Sequence, residues 1–65
     1  MTALRRSRLL KEITLFELSR RSKISMSRLS YFERGMMEPK EKEKKRLSRV
    51  FKVSVAELFG EGGAG

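Results

Sequence analysis

Residues 25 to 35, SMSRLSYFERG, combine hydroxyl and guanidinium groups with an apolar stripe at helical spacing. At about 100° per residue, one side of a helix here carries Leu29 and Phe32. The opposite side carries hydrogen-bonding side chains: Ser27, Ser30, Tyr31 and Arg34. Such groups donate and accept hydrogen bonds, so this ridge is suited to binding a polar ligand. Glu33 lies beside the apolar stripe, where an unpaired carboxylate would be costly.

The composition excludes several kinds of catalytic and metal chemistry. The 65 residues include no cysteine and no histidine, which argues against disulfides, zinc sites and Ser–His or Cys–His nucleophiles. No glycine-rich phosphate loop is present, and we expect neither an enzyme nor a bound cofactor. No apolar run approaches the roughly 18 residues of a membrane span, and the first residues do not resemble a signal peptide.

The net charge of +8 is the strongest global feature of the sequence. A small basic domain usually has a polyanionic partner, of which nucleic acid is the first candidate and an acidic membrane the second. The basic residues are spread over several predicted helices, so a membrane-surface role is not favoured. A merely soluble surface is the remaining interpretation of the charge.

The spacing of apolar residues and helix caps predicts three helices in the first half of the chain. The first runs from Thr2 or Ala3 to Lys11, with Leu4 and Leu9 on its apolar side. The second covers residues 15–21, with Thr14 as N-cap and Glu17 at the capping-box position. The third begins after Ser25 and ends at Gly35 in a left-handed conformation.

The second half predicts two more helices and a tail. The fourth helix covers 39–51, with Pro39 as its first residue. Its first half is charged, and apolar anchors appear only from Leu47 onward. The fifth covers 55–59 after the N-cap Ser54. We therefore expect an all-α domain over residues 1–59 and a flexible glycine-rich tail over 60–65.

The second and third helices, joined by a short turn, have the spacing of a helix-turn-helix. Over residues 3 to 59 the chain resembles the lambda-repressor-like, Cro/C1-type (XRE) DNA-binding domains. The resemblance rests on ITLFELSRRSKISMSRLSYFERG, on Pro39 four residues after Gly35, and on VSVAELF. It implies a compact five-helix fold and a sequence-specific DNA-binding transcriptional regulator of repressor type, located in the cytoplasm and at the nucleoid when bound to DNA.

The resemblance also implies a partner for Glu33. In this family a glutamate near the end of the third helix pairs with an arginine of the first, and Arg8 occupies that place. An arginine can bind a carboxylate through two parallel hydrogen bonds. The alternative is that Glu33 reaches solvent beside Arg34 or Arg5. In both cases the role of Glu33 is structural.

By the family's pattern, four residues of the third helix face base edges in the major groove: Met26, Ser27, Arg28 and Tyr31. Arg28 would read guanine O6 and N7, Ser27 several base edges, and Met26 a thymine methyl group. Six residues are candidates for phosphate contacts: Thr14, Leu15, Lys23, Ser25, Arg34 and Lys40. Thr14 and Leu15 are candidates because the backbone N–H groups that begin the second helix can bind a phosphate.

Several positions depart from the family's pattern. Leu15 replaces a common glutamine, and Glu12 and Lys23 occupy turn positions that are often glycine. The fourth helix usually has apolar residues where Glu41 and Lys44 stand, so its first turn should be loosely held.

A set of apolar residues is also predicted to be exposed near the DNA side, including Phe16, Met36 and Met37. An exposed apolar patch indicates a partner protein or second subunit. The alternative function is therefore a protein-interaction module on the same fold, such as a coactivator or antitoxin-type adaptor. As a DNA-binding regulator, the chain is expected to be a weak homodimer, or a monomer that pairs on a palindromic operator.

Overall fold

The computed structural model describes residues 2–60, which form five α-helices and, within that range, no β-strand. The helices are α1 (Ala3–Leu10), α2 (Leu15–Ser22), α3 (Met26–Glu33), α4 (Glu41–Phe51) and α5 (Val55–Phe59). The all-α, five-helix prediction is confirmed. The predicted tail, apart from Gly60, lies outside the described residues, so the domain division at residue 59 stays a prediction.

Hydroxyl side chains begin four of the helices. The oxygen of each accepts a hydrogen bond from the backbone N–H three residues later, which satisfies a donor that the helix leaves free. These N-cap residues are Thr2, Thr14, Ser25 and Ser54. The capping box predicted at Thr14 forms only in part, because the Glu17 carboxylate binds Arg21 at 2.7 Å. At Ser54 the reciprocal contact to Glu57 is present.

One apolar core joins all five helices. Its eight buried side chains are Leu4, Leu18, Ile24, Leu29, Phe32, Leu47, Phe51 and Leu58. Helix α2 packs on α3 and α4, α1 packs on α3 and α5, and α4 packs on α5. The prediction that Leu9 faces this core is wrong, because Leu9 is 46% exposed. Leu4 is the one buried residue of α1, and it anchors this helix to the core.

Helix α4 differs from its prediction at its first turn. Lys40 has an extended backbone, with φ −74° and ψ 163°, so helical geometry begins at Glu41 and the buried Pro39 precedes the helix. The expectation of a loosely held first turn is also wrong. The Glu43 carboxylate accepts a hydrogen bond from the Lys40 N–H at 2.8 Å. The Lys44 ammonium lies 3.3 Å from a carboxylate oxygen on the loop before the helix.

The ends of the first four helices reach left-handed backbone angles. Gly35, after α3, has φ 73°, whereas the corresponding residues after α1, α2 and α4 are Glu12, Lys23 and Lys52, with φ from 57° to 60°. Glycine adopts this conformation without steric cost, but other L-residues are strained there. The positive φ anticipated for Lys23 is therefore present, and Lys52 is a site that the sequence did not indicate.

Replacing Lys52 by glycine should stabilise the domain. Removing the Cβ relieves the left-handed strain, and we expect a gain of about 1 kcal/mol in the free energy of unfolding, measured by urea denaturation. The matched control is Arg49→Gly, at an exposed helical position of α4. That change should cost about 1 kcal/mol, and equal signs for the two variants would contradict the assignment of strain.

Candidate nucleic-acid interface

The backbone of the turn between α2 and α3 is held by two hydrogen bonds to Ser19 of α2. Lys23, in the left-handed conformation, donates its N–H to the Ser19 carbonyl at 2.8 Å. The Ser19 hydroxyl donates to the Ile24 carbonyl at 2.6 Å, and Ile24 is buried in the core. Ser25 then begins α3 as its N-cap. The two helices therefore meet at a defined angle, as a helix-turn-helix requires.

A buried ion pair joins α3 to α1. Arg8 Nε lies 2.6 Å from Glu33 Oε2, and a second guanidinium nitrogen donates to Oε1 at 3.1 Å. The third arginine nitrogen donates to the Ile13 carbonyl at 2.9 Å. Glu33 is 5% exposed. The pair implied by the family resemblance is thus present in the structure, and it fixes the orientation of α3 against α1.

The outward side of α3 forms a shallow concave surface of about 300 Å³. Its lining residues, which we call the α3 surface, are Leu15, Met26, Ser27, Ser30, Tyr31 and Arg34. Met26, Ser27 and Tyr31 are exposed, whereas Leu29 and Phe32 on the opposite side are buried. The structure therefore brings together three of the four predicted base-edge residues, next to the beginning of α2.

Two polar side chains of the α3 surface are ordered by contacts along the helix. The guanidinium carbon of Arg34 lies 5.2 Å from the centre of the Tyr31 ring, a cation–π arrangement. The Arg34 Nε also lies 3.4 Å from the Ser30 carbonyl oxygen. These contacts place a positive charge beside an aromatic ring on the exposed side of the helix.

Arg28, the fourth predicted base-edge residue, is directed toward α4 and does not line the α3 surface. Its Nε donates to Glu43 Oε2 at 2.8 Å, and a second nitrogen donates to Oε1 at 2.8 Å. Its guanidinium carbon lies 5.3 Å from the Phe32 ring centre. The hydrogen bond between Arg28 and Glu43 raises the pKa of the arginine and lowers the pKa of the Glu43 carboxyl.

The predicted phosphate residues do not all lie together. Leu15 and Arg34 belong to the α3 surface, and Thr14 and Ser25 begin the adjoining helices. Lys40 is exposed at the beginning of α4. Lys23 lines a different concave surface, which shares no residue with the α3 surface and is also lined by Arg21, Ser22, Arg46, Arg49 and Val50.

Sequence reasoning missed two residues near this site. Ser30 lines the α3 surface, although it was placed only on the polar ridge and not among the base contacts. No pattern in the sequence assigns a role to Glu43, which binds Arg28 from 15 residues away in the chain. The only local signal for Glu43 was its place three residues after the N-cap Lys40.

Phe16, Met36 and Met37, three of the exposed apolar residues, line two different concave surfaces. Phe16 is 59% exposed beside α2, where the Arg20 guanidinium carbon lies 5.9 Å from its ring centre. Met36 and Met37 line a groove of about 480 Å³ between the start of α1, the loop after α3, and α5. The residues lining the two regions do not overlap. Phe16 therefore does not share a groove with Met36 and Met37.

The comparisons with known proteins identify the family. A family model described as a helix-turn-helix, of Cro/C1 (XRE) type, matches residues 4–58. The chain belongs to this family. No curated protein and no solved structure matches the chain.

Membership of the Cro/C1-type family indicates a DNA-binding transcription regulator, and the family is not typically enzymatic. Residues 2–60 contain no group of three or more carboxylate, thiol or imidazole side chains that could hold a metal ion. In the same range, no helix has the length and apolar character needed to cross a bilayer.

Removing the Glu33 carboxylate should strongly destabilise this helix-turn-helix domain. Glu33→Ala leaves Arg8 without its charged partner in a largely buried site, and we expect a loss of about 3–5 kcal/mol in the free energy of unfolding. Glu17→Ala is the control, because it removes an exposed pair with Arg21 worth less than about 1 kcal/mol. Similar losses in urea denaturation would contradict a special role for the buried pair.

Proposed function

We propose that this domain is a sequence-specific transcriptional repressor that inserts residues 25–34 into the major groove of DNA. The single observation that carries the proposal is the two-sided character of α3. Its apolar side fills the core, and its polar side lies exposed beside the beginning of α2. A recognition helix needs this arrangement, because its outward side chains must reach base edges while the helix stays attached to the domain.

Three residues of the α3 surface are the proposed base contacts. Ser27 can exchange hydrogen bonds with several bases, and the Tyr31 hydroxyl can donate to an acceptor on a base or a phosphate. Met26 can pack against a thymine methyl group, since it has no strong hydrogen-bonding atom. All three are exposed.

Phosphate contacts would supply most of the affinity. The net charge of +8 favours association with DNA and makes the binding constant fall with added salt. The first amides of α2, near Thr14 and Leu15, can donate to one phosphate. Arg34, Lys40 and Ser25 are the proposed contacts to flanking phosphates. Lys23 is a further proposed contact, although it lines a different concave surface from the α3 surface.

The proposed operator is a palindrome bound by two copies of the domain. A two-fold dimer reads half-sites about 34–36 Å apart, one turn of the duplex, with one recognition helix in each. Each α3 surface is small, and pairing on DNA would let two of them contribute to one site. Such a repressor would act in the cytoplasm, at the nucleoid when bound.

Substitutions on the α3 surface should separate sequence choice from general affinity. Tyr31→Ala should weaken discrimination at one base pair by about 1–3 kcal/mol, whereas Arg34→Ala should weaken binding to all duplexes alike and flatten the salt dependence. The measurement is DNA affinity across single-base variants of a selected site, at two salt concentrations. Arg49→Ala is a control that removes a cation outside this surface. Affinity independent of salt would overturn the proposal.

A protein-interaction module is the second candidate function. The observation that favours it is the exposure of three apolar side chains outside the core: Phe16 at 59%, Met36 at 66% and Met37 at 38%. Large exposed apolar side chains often mark sites where another protein binds. Met36 and Met37 both line the groove of about 480 Å³ beside α5.

Polar substitutions at these positions test that candidate. If the domain works mainly as an adaptor, Phe16→Ser combined with Met37→Ser should leave DNA affinity within about twofold and abolish binding of a partner protein. Leu10→Ser is the control, because Leu10 is 76% exposed and lines neither region. A loss of DNA affinity alone would count against the adaptor function.

A further inference from the structure

We propose that Arg28 is a positioning residue that holds the beginning of α4 against α3, and that it contacts no base. The inference rests on the proposed DNA-binding function, and it assigns a different role to a residue whose type and place in α3 predicted base reading. Under this proposal Arg28 acts on DNA through the placement of Lys40, which the first turn of α4 carries toward a phosphate.

The contact between Arg28 and Glu43 is bidentate. Two guanidinium nitrogens meet the two carboxylate oxygens, each at 2.8 Å, which is the fork geometry of strong arginine–carboxylate pairs. Glu43 Oε1 also accepts the Lys40 backbone N–H at 2.8 Å. One carboxylate therefore joins a side chain of α3 to the backbone that begins α4.

A second contact places the Arg28 guanidinium over the ring of Phe32, a core residue. The distance between the guanidinium carbon and the ring centre is 5.3 Å. Phe32 occupies the side of α3 opposite the α3 surface, and Arg28 is not among the residues that line that surface. The side chain thus lies between α3 and α4 rather than on the ridge of Ser27 and Tyr31.

The pair matters because α4 has few other links to α3. Helix α4 packs mainly on α2 and α5, and its buried apolar anchors are Leu47 and Phe51 near its end. The six residues of α4 that precede Leu47 are all charged. Without the pair, the first turn of α4 would be attached to the rest of the domain mainly through Lys44.

Base reading by Arg28 would also leave a carboxylate in an unfavourable place. If the guanidinium moved to a guanine, Glu43 would lose its charged partner while the Lys40 side chain approached a phosphate. A carboxylate without its cation near the DNA backbone is repelled by the phosphate charge. Keeping the pair closed avoids that repulsion and leaves Lys40 in place.

The test compares five variants at one fixed salt concentration, using duplexes selected by the wild-type protein and all their single-base variants. Arg28→Gln and Glu43→Gln each remove one partner, and the double variant restores the wild-type net charge. Arg46→Gln and Glu41→Gln are the matched controls, because both residues are exposed on α4 and each change alters the charge equally.

If Arg28 is a positioning residue, Arg28→Gln should lower affinity for every duplex in the same ratio, by about three- to tenfold beyond Arg46→Gln. Glu43→Gln should bind every duplex more weakly than Glu41→Gln. The double variant should lose less than the two losses combined, since both single variants break one contact. The relative preference for each base should stay within about twofold of wild type.

Two results of the DNA-binding measurements would overturn the inference. One is the loss of preference at a single base pair in both Arg28→Gln and the double variant, with the other positions unchanged. The other is tighter DNA binding by Glu43→Gln than by Glu41→Gln, because that would show the carboxylate competing with DNA for Arg28. A wild type that selects no sequence from random duplexes would instead contradict the proposed function.

The free protein provides a test that needs no DNA. In the closed pair the Arg28 hydrogen bond lowers the pKa of the Glu43 carboxyl, and that pKa should rise in Arg28→Gln. Carboxyl NMR signals followed over acidic pH measure it directly. A Glu43 signal that titrates alike in wild type and Arg28→Gln would overturn the positioning role even where DNA binding is intact.

Discussion

The almost complete burial of the Glu33 carboxylate constrains how α3 lies on the domain. A buried carboxylate needs a cation and hydrogen-bond donors, and Arg8 supplies both through two nitrogens. The remaining arginine nitrogen binds the Ile13 carbonyl just before α2. One side chain of α1 therefore holds both helices of the helix-turn-helix, and the exposure of the α3 surface follows from that arrangement.

Much of this fold could be predicted because its determinants are local. The hydroxyl N-caps and Gly35 mark helix ends within a few residues of the chain, and the spacing of Leu29 and Phe32 gives the buried side of α3. The same spacing gives Ser27 and Tyr31 as outward residues. The Arg8–Glu33 pair joins residues 25 positions apart, and only the resemblance to a family could suggest it.

The parts that could not be predicted depend on contacts between distant segments. Arg28 has the residue type and the helix position of a base reader, and nothing local shows that α4 brings Glu43 within 2.8 Å. The charged start of α4 looked unanchored for the same reason. Leu9 is not a core residue, because five positions after the buried Leu4, at about 100° per residue, place it about 140° around the helix from the buried side. At Lys52 the chain accepts a strained backbone angle that its residue type does not favour.

The ends of α3 have a consequence for the thermodynamics of DNA recognition. This helix begins at a hydroxyl cap and ends at Gly35, where the N–H groups of Gly35 and Met36 bond back to carbonyls of the last turn. Helices α1, α2 and α4 end instead at non-glycine residues with left-handed angles. Fraying should therefore concentrate away from α3. A recognition helix that is already ordered loses little conformational entropy when it docks, so more of its contact energy appears as affinity.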